Sequence, residues 1–169
     1  MKLRYQILVG LLLALVQGIL FNFLGNSTLF PNVILVITIV GVFVENDMQK
    51  WLVIGWVAAI LRDISLSIYI GIGPLSLIVT VSILLFLMRW FSNENPLGVC
   101  VDVVFGTAIY NSIYWCISEL VVSTYSYGFA FKHWVYQLPL NILLGLVFYY
   151  FVGKAEKARR KKERFRYYS

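Results

Sequence analysis

Three carboxylates set in apolar sequence, Asp63, Asp102 and Glu119, are the groups of this 169-residue chain best suited to chemistry. Carboxylates in such surroundings relay protons or work in pairs as aspartyl catalysts. Pairing requires close approach. Asp63 falls on a different predicted helix from the other two. Asp102 lies near the start of a predicted span, where the helix dipole favours negative charge, and Glu119 lies near that span's far end. His133 is the only histidine and stands beside Lys132 at the mouth of the last span, so it reads as an interfacial side chain. Cys100 and Cys116 share one predicted helix, where their separation amounts to about 24 Å, beyond disulfide reach. They read as ordinary buried thiols. The sequence holds no HExxH, P-loop or GxSxG motif and no Cys/His cluster. The expectation is a non-enzymatic protein with no metal and no cofactor.

The stretch around which the chain is organised runs from Gly55 to Pro74, GWVAAILRDISLSIYIGIGP. Gly55, Ala59 and Asp63 follow one another at i+4, so they share one helix face, with Arg62 beside it. A buried charge costs roughly 2.5–3.5 kcal/mol at a bilayer centre on insertion scales, so this pair needs partners. Asp63 is therefore expected to face the bundle, held by Arg62, by a backbone amide of the Ser65–Gly73 turn, or by water. The helix either continues through Ser65–Ile72 or turns back before Gly71, Gly73 and Pro74. Other polar residues mark interior faces: Asp102 with Gly98 and Gly106, Asn111 with Glu119, and Gln137 with Asn141 and Gly145. Gly10, Ala14, Gly18 and Asn22 recur at strict i+4, a small-residue stripe for close helix contact. That contact is either packing inside the bundle or docking of another membrane protein.

The elements that must position these residues are apolar helices. The composition is 60% hydrophobic and 13% charged, with a mean hydropathy of +0.82, against about 25% charged in soluble domains. This points to an all-α polytopic membrane bundle of six, or five, helices over residues 1–153, followed by a basic cytoplasmic tail, 154–169. Spans are expected near 5–24, 29–44, 51–72, 75–91, 98–122 and 134–152, with Ser123–His133 an aromatic interfacial loop. The second is short against the ~20 residues a bilayer asks for. Trp51 reads as an interfacial anchor at the start of the third.

The net charge of +6 belongs to the tail. Lys154, Lys157, Arg159, Arg160, Lys161, Lys162, Arg164 and Arg166 stand there against Glu156 and Glu163, while the body is formally neutral. Such a tail suits anionic lipid headgroups, and nothing in it calls for nucleic acid. With six spans, twelve Lys/Arg fall on the side of the termini and two on the other, which places both termini in the cytoplasm.

This pattern resembles the MreD family of rod-shape-determining membrane proteins. The likeness covers most of the chain: a basic start, five or six short spans and a basic end. Its more specific part is Gly55-x3-Ala59-x3-Asp63 followed by Gly71-x-Gly73-Pro74, similar to the family's G-x3-G/A-x3-D segment before a glycine-containing loop. Ala59 stands where a second glycine is common, and Arg62 is not part of the pattern. The resemblance implies a multi-pass scaffold in the bacterial plasma membrane, acting in the rod complex, or elongasome, that builds lateral peptidoglycan. It implies as partners an MreC-like bitopic protein and, directly or through it, an actin-like filament protein and the peptidoglycan synthases. It also implies a fold like the S components of energy-coupling-factor vitamin transporters. The alternative function is therefore such a substrate-binding component, with Asn111, Glu119, Gln137 and Asn141 lining its pocket.

Overall fold

The sequence VILVITIVGVFVE is apolar on every side, and a helix of that kind has to be buried all round. It forms α2 (Val33–Glu45), at the centre of the protein. In the computed structural model, the described residues are 3–24, 31–45, 47–67, 69–87, 96–122 and 126–166, with side chains described over 4–20 and as far as 154. They contain six helices. α1 (Leu3–Leu24), α3 (Met48–Leu66), α5 (Pro96–Val122) and α6 (Tyr127–Arg166) all touch α2, while α4 (Ile72–Leu87) packs on α3 and α5. Ile34, Leu35, Val36, Ile39 and Val40 of α2 form the core with Ala58, Ala59, Leu77, Leu84, Val103 and Tyr110.

Contact pairs give the directions. Gly41 lies against the Trp51 ring and Gly55 against Thr38, so α2 and α3 form an antiparallel hairpin. Gln137 meets Asn111 and Asn141 meets Thr107, and Gly145 meets Val103, so α5 and α6 are antiparallel too. Gly10 of α1 rests on Ile54 and Val57 of α3; a Cβ there would come within 2.9 Å of the Ile54 carbonyl oxygen. The hydroxyls buried in this interior satisfy themselves locally: Thr38, Ser76 and Thr80 each donate to the carbonyl four residues back.

Several expected boundaries shift. α3 stops at Leu66 and α4 starts at Ile72. The third span is therefore not one continuous helix to residue 72. α6 begins at Tyr127, inside the stretch expected to be a loop, and continues without a break to Arg166. The basic tail thus extends α6. Residues 29–30 and 88–91 of the expected second and fourth spans lie outside the described residues.

Trp51 also departs from expectation. It is buried, stacks edge-on against Phe148 at 5.9 Å between centroids and donates from Nε1 to Glu45 at 2.7 Å. Lys50 Nζ donates to Glu45 Oε1 at 2.6 Å and lies 4.7 Å from the Trp51 ring. Trp51 thus packs inward between α2 and α6.

Outward faces are strongly apolar. α1 exposes Leu8, Leu12, Leu15 and Ile19, and α6 exposes Leu143, Val147, Tyr150 and Phe151. Two helices, over Pro96–Val121 and Tyr127–Lys154, are long and apolar enough to cross a membrane.

Candidate functional site

Where α3 ends, Asp63 is completely buried. One carboxylate oxygen accepts from Arg62 Nη2 at 2.8 Å and Nε at 3.3 Å. The other accepts the backbone N–H groups of Gly71 at 3.2 Å and Gly73 at 2.9 Å. The carboxylate therefore ties the end of α3 to the first turn of α4, whose amino-terminal N–H groups have no helical acceptor. The loop residues fit this task. Gly71 sits at φ 107°, in the left-handed region that favours glycine. A Cβ on Gly73 would lie 2.6 Å from Asp63 Oδ1 and overlap the Arg62 guanidinium. Pro74 stands in the first turn of α4, where a missing N–H costs nothing. The expectation for Asp63 is met, with Arg62 and two turn amides as its partners.

Arg62 reaches further, donating from Nη1 to the Tyr110 hydroxyl of α5 at 3.2 Å. Beyond it a second polar cluster begins, built on the amino end of α2. That end starts inside the bundle and has orphan amides to satisfy. Asn32 is its cap, accepting from the Leu35 amide at 3.2 Å. Gln17 of α1 accepts from the Ile34 amide at 3.1 Å, and Asn141 of α6 accepts from the Asn32 amide at 3.0 Å. The chain continues outward through side chains. Asn141 Nδ2 donates to Thr107 at 3.1 Å, and Asn111 Nδ2 donates to the Thr107 carbonyl at 2.9 Å and to Gln137 at 3.3 Å. Gln137 Nε2 and His133 Nε2 lie 3.3 Å apart.

Between the two clusters is a cavity of about 230 Å³. Gln17 and Asn32 lie toward α2's amino end; Arg62, Tyr110, Asn111 and Gln137 are among the other lining residues. No Asp or Glu lines it among the described residues. Tyr110 and Tyr114 stack along one side, with centroids 6.0 Å apart.

The sequence-derived candidates thus separate into groups. Asp63, Gly71 and Gly73 come together across α3 and α4, with Pro74 in the first turn of α4, while Gly55 lies against Thr38 of α2 and Ala59 in the core. Asn111, Gln137 and Asn141 come together through Thr107. Asp102 is buried on α5 and Glu119 half-buried near that helix's far end; neither lines the cavity. Gly10 and Ala14 are spent inside the bundle, Gly10 on α3 and Ala14 against the core. A Cβ on Gly18 would meet nothing within 4 Å, and the side chain of Asn22 lies outside the described residues. Lys154 is exposed; the side chains of Lys157, Arg159, Arg160, Lys161, Lys162, Arg164 and Arg166 lie outside the described residues. Cys100 is half-buried and Cys116 exposed, so Cys116 is not a buried thiol.

Four residues of the site carry no weight in the sequence reading: Gln17, Asn32, Tyr110 and His133. Two had a readable signal. Gln17 follows Gly10 at i+7 and Ala14 at i+3, and His133 extends the Gln137–Asn141 face by one turn. Tyr110 had none, because a tyrosine in an apolar run looks like any other.

No protein-family model, no curated protein and no solved structure matches the chain.

Proposed function

We propose that this chain is a non-enzymatic membrane scaffold of the MreD type. Six helices cross the bacterial plasma membrane, both termini are cytoplasmic, and the protein serves the rod complex in lateral wall synthesis. The observation that carries this reading is the state of Asp63. The aspartate of the segment with the family-like pattern has four N–H donors, from Arg62 and from the start of α4, and no exposure. A carboxylate so engaged holds two helices together, which suits a structural part in a scaffold. The apolar exterior of the bundle, with buried polar side chains within, supports a lipid setting. Gln17, Asp63, Thr107 and Asn141 are inside while leucine, valine and phenylalanine face out. The basic end of α6 suits anionic headgroups, and an MreC-like single-pass protein is the partner the resemblance implies.

A second reading, the S component of a vitamin transporter, is favoured by one observation, the cavity with Asn111 and Gln137 in its wall. Depletion in the native cell separates the two. The scaffold reading expects round or swollen cells and co-purification of an MreC-like protein. Depleted cells that stay rod-shaped and fail only when one nutrient is scarce would overturn it.

A further inference from the structure

We propose that the cavity is a binding site for a small organic carboxylate. Arg62 is the only Lys or Arg among its lining residues. A guanidinium carries five N–H donors, and three are engaged here, two by Asp63 and one by Tyr110. The other two have no acceptor among the described residues. Asp63 balances the Arg62 charge formally, but its second oxygen faces the amides at the start of α4, so the two remaining guanidinium N–H groups stay open to a further acceptor. The second source of positive potential is the amino end of α2, near which Asn32 and Gln17 sit. Asn32 is buried, lines the cavity, and its Nδ2 has no acceptor among the described residues.

The remaining lining fixes the rest of the ligand. Asn111 uses its amide nitrogen on Thr107 and Gln137, which leaves its oxygen as an acceptor. The stacked Tyr110 and Tyr114 give a flat apolar side. A volume of about 230 Å³ is below the roughly 300–1,000 Å³ of drug-sized sites. The fitting ligand is a compact monoanion: a carboxylate on Arg62, a planar body along the tyrosines and one donor toward Asn111. The inference rests on the cavity alone and holds whether or not the chain is a scaffold. Its failure would leave the depletion phenotype untouched.

The test uses the purified full chain in detergent and three probes of one shape: sodium benzoate, neutral benzamide and cationic benzamidine. Benzoate is expected to raise the thermal unfolding midpoint and to bind about tenfold more tightly than benzamide, as a charge-assisted contact should. Benzamidine should give no shift. Ser67, the residue that caps α3, also lines the cavity, and Ser67→Phe fills it without touching the side-chain contacts between Arg62 and Asp63. It should abolish the benzoate response while the ligand-free chain still unfolds in one cooperative transition. Arg62→Gln should erase the preference for benzoate over benzamide. Equal responses to all three probes, or a benzoate response that survives in both variants, would overturn the proposal.

Discussion

Asp63 puts four hydrogen bonds on one carboxylate in a place without solvent. Replacing it with leucine leaves Arg62 charged and two backbone N–H groups buried without an acceptor. Breaking a buried pair in this way costs about 3–5 kcal/mol. Asp63→Asn keeps one acceptor oxygen but turns an NH2 toward two of the four donors, for about 1–3 kcal/mol. Asp63→Leu should therefore sharply lower the amount of folded protein, and Asp63→Asn should lower it less. Size-exclusion profiles after a heating series measure this, and equal profiles for both variants would contradict the ordering. Gly73→Ala belongs to the same network. Its Cβ would have to displace Arg62 or Asp63, a strain of about 1–3 kcal/mol by analogy with other overpacked sites.

Among the elements, α1 and α3 make the most instructive contact. Gly10→Leu would drive a side chain into the Ile54 carbonyl and Val57, whereas Gly18→Leu enters open space. The first should reduce thermal stability by several degrees, and the second should leave it within error; reversed results would mean the stripe faces outward. The i+4 rhythm of small residues announced a helix contact, but it did not say whose, because rhythm describes one surface and is silent about the other. The same limit explains the rest of the site. The Asp63 unit was legible because its two halves lie ten residues apart and one needs a counter-charge. The cap of α2 was not, since Asn141 and Asn32 are 109 residues apart and only the packed bundle makes them neighbours. Trp51 misled for a related reason: an aromatic at a helix start marks an interface unless the turn before it folds back, as Glu45 and Lys50 make it do.

For the whole molecule, the decisive measurements concern orientation. Single cysteines at Ser27, Asn93 and Ser126, in a background lacking Cys100 and Cys116, would be exposed to an impermeant thiol reagent on intact cells. With six spans and cytoplasmic termini, positions 27 and 126 react and 93 does not; labelling at 93 would reverse or reduce the topology. The basic end of α6 gives a second test. Replacing Arg159–Lys162 with glutamine should weaken attachment to anionic vesicles, by at most ~1 kcal/mol per charge at low salt. If insertion stays normal while a partner is lost on co-purification, the segment docks a protein instead. The polar cluster at the cavity and the basic segment occupy opposite ends of a single helix, α6.

The central position of α2 also sets an order of events during synthesis. It is made before α3, α4, α5 and α6, yet at 13 residues it measures only about 20 Å, against a hydrocarbon layer of ~30 Å. Its amino end depends on Gln17, already made, and on Asn141, which arrives 109 residues after Asn32. Until then α2 is a short segment with an open end and no walls on two sides. A chain stopped at residue 126 should therefore be an easy target for membrane quality-control proteases, and one stopped at 154 should persist. In this protein α2 is made well before one of the residues that completes it.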